Sequence, residues 1–342
     1  MKKLTITFPS LIAVLALTCN LSTANAAEIV LKYGAFGSGK TPFSTSGTGP
    51  FRKKVGELTS GKVEIKRFLN TLGGPRQLYK NAKDGIADIA WVIAGASQGF
   101  KFPRSTVLSM PNILDGYTNV QANTALWRLY EKGLVKPDYS DVVPLGFASM
   151  SATHIVTKDR EPTQIKQLKG MKIAVTSGLS AQTVKALGAI PVFTPVTGLY
   201  QAMDRGTVNG LMIGFTAVQG FKLDEVSNRH IVVPMSTPLV FIGMNKKKLD
   251  GLPAYAREAI LSASGIKLSQ ALGRAGDGMI RFTRGRLKKN PKQKIIDLPE
   301  AQKAPWRAAV NPIVDRWVKS TPNGAAILAA YRQELEAAKK VN

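Results

Sequence analysis

The sequence predicts an α/β fold. Residues 168–210 read as strand, helix, strand, helix, strand in miniature, and residues 28–93 alternate between strand and helix patterns in the same way. A chain of 342 residues with 44% hydrophobic and 20% charged residues has material for a full-sized core in one or two globular domains, which excludes a disordered chain.

The first residues set the compartment. Lys2 and Lys3 precede a largely apolar run over 6–17, and Ala24-Asn25-Ala26 is a small-residue cleavage site. About a dozen apolar residues are too few to span a bilayer as a helix. A signal peptide is therefore expected over 1–26, with a soluble exported product starting at Ala27. Cys19, the only cysteine, falls inside that leader behind a poor lipobox, Ala16-Leu17-Thr18. The mature chain then has no disulfide and no thiolate ligand or nucleophile.

The mature part opens with a strand over 28–33. A helix over 50–58 has Pro50 in its first turn, where a missing N–H costs little. An alternating strand over 62–68 follows, then a helix over 75–83 stopped by Asp84-Gly85, and a strand over 86–93. In the central unit the strand is 171–175, Ser180 is the expected helix cap, and Gly188 the stop. Residues 191–193 form the next strand, and Leu199, Tyr200 and Met203 mark a second helix ending at Gly206. Residues 254–284 have helical spacing, weakened by Gly265, Gly273, Gly276 and Gly278. Further helices are expected over 306–317, interrupted by Pro312, and over 323–340.

The formal charge is +25, and removing Lys2 and Lys3 with the leader lowers it to +23. The basic residues are scattered, with local clusters at Arg52-Lys53-Lys54, at Lys246-Lys247-Lys248 and over 284–294. No RNA-binding or helix-turn-helix signature accompanies them. The reading is a solvated basic surface without nucleic-acid binding, compatible with steering of an anionic solute or docking to an acidic membrane partner. A polyanion-binding exported protein is the alternative that this charge keeps open.

One motif points elsewhere. Gly34-Ala35-Phe36-Gly37-Ser38-Gly39-Lys40-Thr41 satisfies the P-loop pattern after a predicted strand, and in a P-loop a helix starts at the Lys-Thr pair. Here Pro42 and a Ser/Gly-rich run to Pro50 follow, which is not expected to continue a helix, and no magnesium-binding aspartate ends an apolar run. The reading is a flexible loop. The two histidines, His154 and His230, lack a nucleophile elbow, and no His/Asp/Glu/Cys cluster has metal spacing. Neither an enzyme nor a cofactor is expected, and His230 reads as an ordinary packed or solvated residue.

The wording of several segments is familiar. Leu168-Lys169-Gly170-Met171-Lys172-Ile173-Ala174, Ala186-Leu187-Gly188-Ala189-Ile190-Pro191-Val192, Gly198-Leu199-Tyr200-Gln201-Ala202-Met203 and Lys83-Asp84-Gly85-Ile86-Ala87-Asp88-Ile89-Ala90-Trp91 stand in the right order. Phe102-Pro103, Met110-Pro111 and Asn245-Lys246-Lys247-Lys248-Leu249 join them. The chain resembles the DctP-like solute-binding proteins of TRAP (tripartite ATP-independent periplasmic) transporters over nearly its whole mature length. The resemblance implies a two-domain periplasmic solute-binding fold with a cleft between the domains and a long helix crossing both. Domain I would take 27–150 plus 235–265, and domain II 151–234 plus 266–342 with the C-terminal helices. It implies capture of a small organic solute by domain closure and delivery to TRAP membrane permease subunits driven by an ion gradient. A homodimer through the C-terminal helices, or a sensor kinase in place of the permease, stays open.

The resemblance also suggests where the solute sits. The loop after the first strand, with Phe36, Gly37 and Ser38, would line the cleft. Where the family carries a carboxylate-binding arginine, this chain has Ala174; where some members carry a second, it has His154. A polar position after Asn209-Gly210 is replaced by Leu211, Met212 and Ile213. The implied ligand is neutral or weakly acidic with an apolar or aromatic part, against which Trp91, Phe36 and Phe215 would stack. Thr176 and Thr216 complete the expected ligand-binding set. For Trp91 and Phe215, plain core packing is the competing reading.

Overall fold

The computed structural model describes residues 27–99 and 101–340; the expected leader at 1–26 lies outside them. In chain order the elements are β1 (Ile29–Ala35), α1 (Thr48–Leu58), β2 (Val63–Leu69), α2 (Leu78–Lys83), β3 (Ile89–Ile93), α3 (Asn119–Glu131) and β4 (Val142–Ser149). Then come β5 (His154–Thr157), β6 (Lys172–Val175), α4 (Gly178–Ala186), β7 (Ile190–Phe193), α5 (Leu199–Asp204), β8 (Gly210–Ile213), α6 (Phe215–Gly220) and β9 (Arg229–Val232). The chain ends with β10 (Leu239–Asn245), α7 (Lys246–Asp250), α8 (Ala254–Ala263), α9 (Ile266–Lys289), β11 (Lys294–Asp297), α10 (Glu300–Ser320) and α11 (Gly324–Ala338).

These strands form two sheets, one of five strands in the order β2-β1-β3-β10-β4 and one of six in the order β11-β9-β5-β8-β6-β7. In the first, β1 runs parallel to β2 and β3, while β10 is antiparallel to β3 and β4. In the second, β6 runs parallel to β7 and β8, and β5 is antiparallel to β8 and β9. Both sheets are covered on both faces, which is why their strands read as near-continuous apolar runs. In the first sheet, Leu31, Ile65 and Ile242 face α1, α8 and α9, while Val92, Phe147 and Phe241 face α2, α3 and α11. In the second, Ile155, Ile173 and Met212 face α4 and α10, while Val156, Ala174 and Leu211 face α5, α6 and the end of α9.

The chain passes between the sheets through two short crossing segments, 150–153 and 233–238. They are bonded to each other: Met150 N donates to Pro238 O (3.1 Å), Thr153 N to Ser236 O (2.8 Å) and Met235 N to Thr153 O (3.1 Å). The long helix α9 is the third connection, packed on α3 and β4 towards one end and on α6 and β11 towards the other. Residues 266–342, expected as a unit with the second domain, are thus shared in packing, since α10 lies on α4 while α11 lies on α3. The apolar side chains of α10 and α11, such as Trp306, Val310, Ile327 and Tyr331, are buried within the chain. Among the described residues none of the exposed large apolar side chains lies on these two helices.

Four local expectations need correction. The cap of α4 is Ser177, whose hydroxyl accepts from Ser180 N, so the helix starts earlier than a Ser180 cap implies. The 254–284 helix breaks at Gly265, whose φ of 78° favours glycine and whose N–H is given to Leu145 O at 2.7 Å. Pro312 does not interrupt α10, which runs through it with Trp306, Val310, Ile313 and Trp317 holding both sides in the core. Finally, the Ser/Gly run after Pro42 is helical: a five-residue π turn, Phe43–Gly47, feeds straight into α1. Two of its hydroxyls bond back one turn, Thr45 Oγ1 to Thr41 O (3.2 Å) and Ser46 Oγ to Pro42 O (2.9 Å), the pattern that bends helices.

Candidate ligand cleft

The carboxyl ends of β1 and β3 in the first lobe face those of β6 and β8 in the second. A cavity of about 610 Å³ lies between them. This volume is in the range of small-molecule sites, and strand carboxyl ends are where open α/β sheets bind ligands.

The first wall is aromatic. Phe36, Gly37 and Ser38 line it from the loop after β1, and Trp91 from β3. Gly37, at φ 83°, is clamped by Asn70: its N–H donates to Asn70 Oδ1 (2.8 Å) and its carbonyl accepts from Asn70 Nδ2 (3.2 Å). The indole of Trp91 is only 8% exposed and meets Phe43 at a centroid distance of 5.3 Å and 58° between planes. It is at once core and wall. Tyr33 also reaches the cavity, and burial pushes its hydroxyl far above the ordinary range, so it stays protonated.

The second wall mixes hydroxyls with apolar groups, Leu179, Phe193, Val196 and Phe221 among them. Thr176 follows β6, Ser177 and Ser180 open α4, and Thr216 lies in α6 with its Oγ1 accepting from Ser151 N at 3.3 Å. Ile213, the last residue of β8, adds an apolar patch. The lobes touch at the rim. The Arg76 guanidinium lies over the Phe193 ring at 5.2 Å, and a Cβ placed on Gly95 would stand 2.9 Å from Ser177 Cβ. Among the described residues the lining includes two cations, Arg76 and Lys101, and no carboxylate or imidazole.

Six of the expected site residues therefore meet at the cavity: Phe36, Gly37, Ser38, Trp91, Thr176 and Thr216. Three do not, and the reading of them as ligand contacts is corrected. His154 and Ala174 are each 1% exposed, and Phe215 is buried. Their side chains lie on the face of the second sheet that packs against helices, with Ala174 in the same apolar cluster as Val156, Leu211 and Ile213. His154 is at the cavity end of β5, but its ring turns inward, 4.3 Å from Phe215. Its Nε2 lies 3.3 Å from Nδ1 of His230, whose own Nε2 lies 3.2 Å from Gln293 Oε1. Burial holds the His154 imidazole well below its ordinary pKa and lowers His230 to about 4, so both rings are neutral in the fold.

The P-loop pattern does not build a phosphate cradle. The backbone amides of Gly37, Lys40 and Thr41 are taken by Asn70 Oδ1, Ser38 Oγ (3.2 Å) and Ser38 O (3.4 Å). No group of three or more His, Cys, Asp or Glu among the described residues is placed to hold a metal. Sequence reasoning missed Phe43, Arg76, Gly95 and Phe193. Phe193 was within reach of the rule that found Phe36, since it ends a strand beside Val175 in register.

Two lobes around a cleft, joined by a paired hinge and a spanning helix, define a periplasmic-type solute-binding protein. The chain belongs to the bacterial extracellular solute-binding protein family 7, the DctP family, whose model matches residues 38–321. It is thus a solute-binding component of a TRAP transporter, a binding protein and not an enzyme, working with membrane permease subunits. Among relatives, the C4-dicarboxylate-binding periplasmic protein DctP of Rhodobacter capsulatus is 27% identical over 338 residues, covering 94% of this chain and 96% of that one. A TRAP solute-binding protein from Rhodoferax ferrireducens T118, solved with copurified benzoate, superposes with a TM-score of 0.83 at 24% identity, covering 91% and 99% of the two chains. One from Bordetella bronchiseptica with bound (R)- and (S)-mandelate gives 0.81 at 21% identity, covering 90% and 99%.

Proposed function

We propose that the chain captures a small aromatic or otherwise apolar solute, neutral or weakly acidic, after export by the leader at 1–26. The observation that carries this reading is the first wall, where Phe36, Phe43 and Trp91 face a cavity of about 610 Å³. The strand position given to a carboxylate-binding arginine in the family is Ala174, packed under that cavity. Phe36, Gly37, Ser38, Trp91, Thr176 and Thr216 form the proposed contact set, with aromatic faces for the solute body and hydroxyls for its polar edge. The benzoate and mandelate bound by structurally similar proteins are aromatic compounds of fitting size. Closure makes contacts that the open state lacks, so solute binding favours the closed state.

The test is a thermal-shift screen of residues 27–342 against aromatic acids, neutral aromatics, polyols, dicarboxylates and uronates. A rise of several degrees with aromatic compounds, and none with succinate, is the expected result. A response confined to dicarboxylates or uronates would sink the reading.

A further inference from the structure

We infer that the solute's negative charge is recognised from the first lobe, by Arg76, and that the recognising group is completed only when the lobes close. This assignment rests on the aromatic-solute reading above and narrows it to an aromatic monocarboxylate.

Arg76 sits in the turn between β2 and α2. That turn is a built feature: Gly74 N donates to Gln77 Oε1 (2.8 Å), and Asn81 Nδ2 donates to Leu72 O (3.0 Å). The guanidinium lines the cavity and, among the described residues, has no carboxylate partner. Its contact is the face of Phe193 on the opposite lobe, at 5.2 Å. Phe193 is 54% exposed, an unusual degree for an aromatic ring at a strand end, and Arg76 lies over it.

The geometry has a chemical consequence. A guanidinium over a ring engages its π face and leaves its in-plane N–H donors free. Those donors form the fork that takes a carboxylate through two parallel, charge-assisted bonds. Among the described lining residues no carboxylate competes for them. Lys101, the other cation there, is an exposed point charge without the fork. Because Phe193 belongs to the second lobe, the oriented guanidinium exists only in the closed arrangement, so charge recognition and closure are coupled.

The experiment titrates residues 27–342 by tryptophan fluorescence with benzoate and with its neutral isostere benzamide. The variants are Arg76→Gln, Arg76→Lys and Lys101→Gln; both sites are exposed, so folding is expected to persist and is checked by a thermal melt. The expected result is a preference of the unsubstituted chain for benzoate of about tenfold or more, lost in Arg76→Gln with benzamide affinity unchanged, partly kept in Arg76→Lys, and intact in Lys101→Gln. Persistence of the preference in Arg76→Gln, or its loss in Lys101→Gln, would overturn the assignment. Equal binding of the two probes by the unsubstituted chain would overturn it while leaving the aromatic-solute reading in place. Binding of neither would bring down both.

Discussion

The two walls of the cleft follow one construction rule and differ in chemistry. Each is made largely from residues at or just past strand ends, but the first groups Phe36, Phe43, Trp91 and a guanidinium together, while the second sets hydroxyls and a helix start beside separate apolar groups such as Phe193, Ile213 and Phe221. The second lobe holds Phe215, His154 and His230 in its interior and presents Phe193 at the rim. On the proposed reading, the first lobe takes the solute body and the second closes over it. A solute-binding protein can change ligand class by exchanging the chemistry of one wall while the hinge stays as it is.

The largest effect is expected where the walls meet. Gly95→Val would drive a branched side chain into Ser177, the fixed cap of α4, and hold the lobes apart. Benzoate affinity should fall roughly a hundredfold, equivalent to about 2.7 kcal/mol, with the melting temperature of the free protein unchanged. Calorimetric titration checks this, and undiminished affinity would mean that closure does not bring Gly95 against Ser177.

Restoring the family's arginine sharpens the contrast between walls. Ala174 is packed among Val156, Leu211 and Ile213, so Ala174→Arg places a charge in an apolar cluster without a partner. The expected outcome is destabilisation by about 3 kcal/mol or more in urea unfolding, with no gain for succinate. A stable variant that acquires dicarboxylate binding would show that this position still opens to the solute.

The smallest effect is a pH dependence confined to the second lobe, which holds both histidines. Their folded-state pKa values are lowered by burial, so the unfolded chain takes up protons first as pH falls below about 6.5. The stability contributed by these neutral rings is full above that value. It is lost progressively as pH falls towards about 4, where His230 titrates in the fold. Imidazole NMR signals should therefore show no titration near pH 6.5, and a ring titrating there would contradict the buried pair.

Much of the fold was legible, because apolar runs bounded by glycine and proline specify strands buried on both faces. The site was legible only where position along a strand decides it. Thr176 and Ala174 stand two residues apart, yet the first is past the end of β6 and reaches the cavity, while the second is inside it and packs beneath. His154 carried the right chemistry in the wrong direction, since side-chain orientation at a strand start is set by the neighbours it buries. The Arg76–Phe193 contact joins two lobes, so no local pattern announces it. The helix through Ser44, Thr45 and Ser46 was hidden because these residues have weak helix propensity, and tertiary packing, with Phe43 buried against Trp91, sets it instead.

A crystal structure of residues 27–342 with bound benzoate tests the central claim most directly. The account predicts closed lobes, the ring against Trp91 in the cleft and the carboxylate within hydrogen-bond reach of Arg76. A ring outside the cleft, or a carboxylate held by the second lobe at Thr176 and the start of α4, would contradict it.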